Sequence, residues 1–150
     1  MTTTSSVGNG SRSVESIVED LISAAQRGDL DGLASLYAPN AIQHHPLANG
    51  PLTGRQAIRA AKAPLVEAFP DATFTTRTLL ANQSTAVVEG VLSATNTGVL
   101  ELEPGQQLPP TRRPIELPYV WVIELDADGL IAQERDYFDT AVLLRQLNLR

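Results

Sequence analysis

The apolar residues of this chain change their spacing once, at Pro70, and that change limits what the chain can fold into. Before it, Val14, Ile17, Val18, Leu21, Ile22 and Ala25 recur every three or four residues and make one helical stripe. Beyond it, residues 73–80 and 85–95 are rich in β-branched residues, with Asn82-Gln83 between them, and read as a hairpin. Residues 114–125 and 130–138 read as two further long strands around the turn Asp126-Ala127-Asp128-Gly129. Helices first and sequential strands later predict an α+β fold with a mostly antiparallel sheet. At 150 residues, without an internal repeat, the chain makes one domain, residues 13–150, behind a polar tail over residues 1–12 that reads as flexible.

Local signals divide the helical half. Ser13 caps the first helix and Gly28 supplies a left-handed stop. A short second helix starts at Asp29 or Asp31, presents Leu30, Leu33, Leu36 and Tyr37 on one side, and ends at Pro39-Asn40. Ala41 to Pro46 is a short strand candidate. A third helix runs from about Arg55 to Phe69, with Thr53 and Gln56 spaced as a capping box. Pro64 inside it predicts a kink or a division into two short helices. Gly98 to Arg113 reads as a long connection or an extended hairpin end, and Asp139 caps a short last helix carrying Val142, Leu143 and Leu147.

Charge and composition exclude several functions. A net charge of -6 without a basic cluster is a poor match to nucleic acid. The apolar run Tyr119 to Ile123 is far short of the ~20 residues that cross a membrane. With no cysteine there is no thiol chemistry and no thiolate metal site, and a reducing, cytoplasmic location is the expectation. His44 and His45 are neighbours whose side chains diverge on a strand, so no metal site is expected. No phosphate-binding loop, dinucleotide fingerprint or nucleophile elbow is present.

The segment Glu134-Arg135-Asp136-Tyr137-Phe138-Asp139 is the most informative. Alternation puts Glu134, Asp136 and Phe138 on one face and Arg135 and Tyr137 on the other. If Phe138 faces the core, the two acids share that face, where an unpaired carboxylate is costly and its pKa rises into a useful range for acid/base work. The acids could instead be solvated, or form a hydrogen-bonded structural pair. On the short strand, Ile42 and His44 share a face, and apolar Ile42 suggests that His44 looks inward. There it could move protons or only satisfy a carbonyl, with His45 exposed. Tyr119 and Trp121 share one face of an apolar strand, and with Tyr37 they either line a ligand cavity or are plain core. Glu89 and Glu101 have no strong case.

The order helix, helix, histidine-bearing strand, helix and strand meander resembles the SnoaL-like polyketide cyclase family of the nuclear transport factor 2-like fold. The pieces that carry the resemblance are "YAPNAIQHHPLANGPLTGRQAI", "AFPDATF", "SATNTG" and "GLIAQERDYFDTAVLLRQLNL", and it covers residues 14–149. It implies a cone-shaped α+β barrel, its N-terminal helices packed on a strongly curved sheet around an apolar pocket. It also implies intramolecular aldol chemistry without metal or cofactor, a carboxylate of the last long strand acting as acid and base, and a homodimer. Asp136 stands at that position with Glu134 beside it and His44 as a second candidate. Tyr37, Ile42, Tyr119, Trp121 and Phe138 would then surround a small apolar or polyketide-like substrate. "RDYFD" also resembles the terminal motif of limonene-epoxide hydrolases, with Asp136 as the catalytic aspartate. Ile42 and His44 stand where that family has tyrosine and asparagine, and Gly90 and Leu92 where it has an Arg-x-Asp pair. Those departures speak against plain epoxide hydrolysis and leave epoxide opening by an internal hydroxyl, with His44 and Asp136 dividing the roles. A non-catalytic apolar-ligand-binding or dimerisation domain is the alternative.

Overall fold

The computed structural model describes residues 13–149, so the expected flexible tail lies outside the described residues. The elements are α1 (Val14–Arg27), α2 (Leu30–Ala34), β1 (Tyr37–His44), β2 (Leu52–Thr53) and α3 (Arg55–Ala68), then β3 (Thr73–Ala81), β4 (Thr85–Thr95), β5 (Leu100–Glu101), β6 (Gln107–Leu108), β7 (Pro114–Leu125), β8 (Ile131–Tyr137) and α4 (Thr140–Gln146). Six strands form one open sheet in the order β2-β1-β8-β7-β4-β3, and β5 pairs with β6 in a separate small hairpin. Every neighbouring pair in the sheet is antiparallel except β1 with β8. This is the expected α+β cone, with helices closing one side of a mostly antiparallel sheet.

Capping sets α1 as the sequence implies. Ser13 accepts a hydrogen bond from Ser16 N–H, and Gly28 takes a left-handed φ of 68°. Val14, Ile17, Val18, Leu21 and Ala24 bury the stripe, and α1 packs over β3 and β4. Each fully buried large aliphatic side chain contributes about 1.5–3 kcal/mol.

Two local readings are corrected. The second helix is a single turn capped by Asp29, and Leu36-Tyr37 does not continue it; Tyr37 opens β1, which runs through Pro39. The register with β8 slips between Tyr37 and Ile42, an irregularity that absorbs the proline. At α3, Gly54 occupies the cap and makes no side-chain hydrogen bond there, so the capping box does not form. Arg55 secures that end by donating from Nε and Nη2 to the Tyr37 carbonyl, at 2.9 and 2.7 Å. The helix then runs unbroken from Arg55 to Ala68 with Pro64 inside it, rather than dividing in two.

The interior has two hydrophobic clusters. One gathers α1, Tyr37, Val88, Trp121, Ile123 and Ile131. The other gathers Phe69, Leu100, Ile115, Leu117 and the α4 residues Leu143 and Leu147, while Leu92 and Phe138 touch both. Buried Asn96 joins the second cluster to the proline-rich segment. Its amide donates to the carbonyls of Ala68 and Gly98 at 3.1 and 3.0 Å, and its oxygen accepts from Thr111 N–H at 2.7 Å. Gly98 is required beside it, since a Cβ there would run into the Glu67 carbonyl.

Candidate active site

A cavity of about 140 Å³ lies between the two clusters. Its lining is apolar apart from five side chains of different chemistry, Tyr37, His45, Lys62, Glu134 and Asp136, and the hydroxyl of Tyr119. The alternation expected of the last long strand holds. Glu134 and Asp136 are buried, at 1% and 6% exposure, while Tyr137 on the opposite face is 54% exposed. Neither acid is solvated.

The β1–β8 pairing explains how two buried acids are tolerated. Parallel register sets Gln43 opposite Glu134. Gln43 Nε2 donates to Asp136 Oδ2 at 3.2 Å, and Tyr37 Oη donates to Glu134 Oε1. From α3, Lys62 Nζ approaches Asp136 Oδ2 to 3.8 Å, and His45 Nε2 lies 4.0 Å from the same oxygen. Buried carboxylates therefore have donors and a cation, which is what makes their burial affordable.

The two acids are held apart in proton affinity. Burial and then the neighbouring Glu134 charge push Asp136 well above the ordinary 3.8. For Glu134 the cost of burial, which raises it, is outweighed by the Asp136 carboxyl, Lys62, Tyr37 and Gln43, and the group stays below 4.5. The pair holds a single proton readily, on Asp136. Burial likewise pushes the Tyr37 hydroxyl well above 10 and the Tyr119 hydroxyl up to about 12, so both are donors at neutral pH.

The histidines exchange the places expected of them. His44 is exposed, Ile42 lies beside β2 outside the cavity lining, and Gln43 and His45 point inward. Apolarity was a poor guide on this strand because its inward positions hold polar side chains with buried partners. The sharing of acid and base roles between His44 and Asp136 is thereby overturned. His45 packs edge-on to Phe138 at 5.5 Å and accepts from Leu47 N–H at Nδ1, 3.2 Å away. Burial, reinforced by Lys62, pulls its pKa from 6.5 to about 3. A neutral ring whose Nδ1 accepts must carry its proton on Nε2, the nitrogen that faces Asp136.

Tyr37, Tyr119, Trp121 and Phe138 line the cavity. Tyr119 and Trp121 stack at 4.6 Å, and Phe74 meets both rings. Gly90 makes room for them, since a Cβ there would lie 2.6 Å from Tyr119 Oη. Three buried polar atoms around this region have no hydrogen-bond partner of normal geometry: Gln43 Oε1, Tyr119 Oη and Asp136 Oδ1. Sequence reasoning missed Gln43 and Lys62. A glutamine on a short strand and a lysine on a helix carry no signal until the register is known. Among the described residues, no group of three metal-ligating side chains is assembled, and no helix is long and apolar enough to cross a membrane.

The model of the SnoaL-like domain family matches residues 18–134. The chain belongs to the SnoaL-like domain family. Solved structures similar to this SnoaL-like chain share its fold over about nine-tenths of its length. A protein from Jannaschia sp. CCS1, provisionally assigned as a SnoaL-like polyketide cyclase, superposes with a TM-score of 0.77 at 21% identity, covering 91% of this chain and 92% of that one. IdmH from Streptomyces antibioticus, provisionally a polyketide cyclase, gives 0.72 at 24% identity over 90% and 98%. A Catenulispora acidiphila DSM 44928 protein with a ketosteroid isomerase-like fold, in complex with trimethylamine, gives 0.72 at 19% over 93% and 96%. No curated protein matches the sequence.

Proposed function

We propose that this SnoaL-like chain is an acid/base enzyme that enolises and cyclises a small, apolar, polyketide-like substrate, with Asp136 as the proton carrier. The observation that carries the reading is the Asp136 carboxyl. It lines an apolar cavity, its pKa is raised, and Oδ2 is gripped by Gln43 with Lys62 and His45 close by.

Ionised Asp136 takes a proton from the carbon between two substrate carbonyls. The neutral carboxyl that results is the form burial favours, so the site helps the abstraction forward. The protonated hydroxyl of Tyr119, on the cavity wall, donates to the developing enolate oxygen. The enolate carbon attacks a second carbonyl of the same folded molecule, forming the ring bond. Asp136 then returns its proton to the new alkoxide. Holding the reacting carbons together contributes up to ~7–11 kcal/mol of the barrier. Glu134, locked to Tyr37, stays ionised and keeps the pKa of Asp136 high, while Lys62 keeps the ionised form accessible.

The test is turnover of an aromatic β-polyketone that can close a ring by aldol addition. Asp136→Asn lowers kcat by roughly 10²–10⁴-fold and leaves substrate affinity nearly unchanged; an active Asp136→Asn protein removes the proposal. The homodimer is proposed with it. Leu80, Val87 and Val122 lie in one row across three strands, and exposed Leu80 and Val87 give the outer sheet face an apolar stripe for a second copy. Light scattering that gives a monomer at micromolar concentration refutes that part.

A further inference from the structure

Of the 11 lysines and arginines in the chain, Lys62 is the one lysine. It stands on the inward stripe of α3, one turn from buried Ile58 and one turn from Leu65 and Val66, which line the catalytic cavity with it. An ammonium on an apolar stripe is costly, so something must require it there. Pairing with the buried acids does not by itself require a lysine. A guanidinium would bond a carboxylate through two parallel N–H groups, and every other basic position of this chain is an arginine. Lys62 also makes a loose ion pair. Among the described residues Asp136 is its one ion-pair partner, and the 3.8 Å between Nζ and Oδ2 is longer than a hydrogen bond. What lysine offers and arginine does not is a nitrogen that can give up a proton and attack carbon.

We infer that Lys62 is a nucleophile that condenses with the carbonyl group of a small apolar aldehyde or ketone, forming an iminium in the catalytic cavity with Asp136 carrying the protons. The Nζ ammonium passes one proton to ionised Asp136, and the neutral carboxyl that results is the form burial favours. The freed lone pair attacks the carbonyl carbon, the π pair of the C=O bond moves to oxygen, and Asp136 protonates that oxygen. The nitrogen of this adduct, now cationic, gives a proton back to Asp136. Its lone pair then forms the C=N bond and expels the hydroxyl, which takes the Asp136 proton and leaves as water. One ammonium and one carbonyl become one iminium and one water, and Asp136 ends as the carboxylate beside the iminium. The cavity selects the partner. At about 140 Å³ and largely apolar, it takes a molecule of about one ring. Glu134 on the same wall disfavours a keto acid. The Lys62 side chain is 17% exposed, sheltered from bulk water yet open to a small reagent.

The test is labelling by benzaldehyde in the presence of sodium cyanoborohydride, which reduces an iminium to a stable amine. Benzaldehyde has no hydrogen on the carbon next to its carbonyl, so its condensation involves no enolisation and the result is independent of the cyclase reading. The parent gains one benzyl group by intact mass, and peptide mapping places it on Lys62. This labelling is roughly ten-fold faster or more than that of α-N-acetyl-lysine under the same conditions. Lys62→Arg keeps the positive charge and loses the adduct, and any labelling it retains measures the background from the chain's α-amine. Benzyl alcohol fills the same space without condensing and slows labelling of the parent. Asp136→Asn and Asp136→Ser, each checked for folding by circular dichroism, label Lys62 roughly ten-fold more slowly or worse. Labelling of Lys62 no faster than the free amino acid, no slowing by benzyl alcohol, or labelling of the folded Asp136 variants at the parent rate overturns the inference.

Discussion

Gln43 Nε2 donates to Asp136 Oδ2 across 3.2 Å, between residues ninety-three positions apart. The contact exists because β1 and β8 pair in parallel, the one parallel pair of the sheet, with Gln43 opposite Glu134. That register brings an amide, a buried imidazole and, from α3, an ammonium around one carboxyl oxygen. A buried acid so held can change protonation without losing its place, which is what a proton carrier needs.

Keeping Asp136 protonated has a consequence for stability. The free carboxyl ionises at 3.8, whereas the folded one does so well above that value. Between the two, the folded chain holds a proton that the unfolded chain has released, so this group's stabilising effect declines as pH rises through that window. Asparagine does not titrate. The melting temperature of Asp136→Asn relative to the parent therefore rises from pH 4 to pH 8, and an unchanging difference refutes the shift.

His45 acts in the opposite sense. Its folded pKa is about 3 against 6.5 when free. Below pH 6.5 the unfolded ring gains a proton that the folded ring refuses, so stability is lost as pH falls from 6.5 toward 3. Urea midpoints at pH 4.5 and 7 show this loss in the parent and a smaller one in His45→Gln. The pH–rate profile carries no limb from His45, and nitrogen NMR finds its proton on Nε2.

Lys62 lowers the pKa of Asp136 by its charge alone. Lys62→Met removes that help, raises the carboxyl further, and moves the acid limb of the activity profile to higher pH. Lys62→Arg restores the limb. A profile that does not move in Lys62→Met separates Lys62 from the acid.

Gly90 is a packing requirement of the site. A methyl there meets Tyr119 Oη at 2.6 Å and the Thr75 carbonyl oxygen closer still. Backbone cannot yield as a flexible side chain does. Gly90→Ala costs about 1–3 kcal/mol in chemical denaturation and alters Trp121 emission through the displaced Tyr119. Unchanged stability contradicts the crowding.

The long elements were legible because their periodicity is strong. The α1 stripe, the β3–β4 hairpin and the inward set Glu134, Asp136 and Phe138 follow from spacing alone. The short strand β1 was misread for a physical reason. The inward residues along and just beyond it, Gln43 and His45, are polar and face Asp136, some ninety positions away in sequence, so hydrophobicity pointed to Ile42 and His44. The α2 boundary failed because one turn of helix runs straight into a strand containing Pro39. Lys62 was invisible for the same reason as Gln43: its role depends on which strand α3 covers.

The central claim is that Asp136 moves the substrate proton. The most direct measurement is deuterium exchange at the central carbon of 1-phenylbutane-1,3-dione, a one-ring β-diketone, followed by proton NMR in heavy water. The parent accelerates exchange over the buffer rate, and Asp136→Asn falls back to that rate while still quenching Trp121 on binding. Exchange at the parent rate by Asp136→Asn would contradict the account.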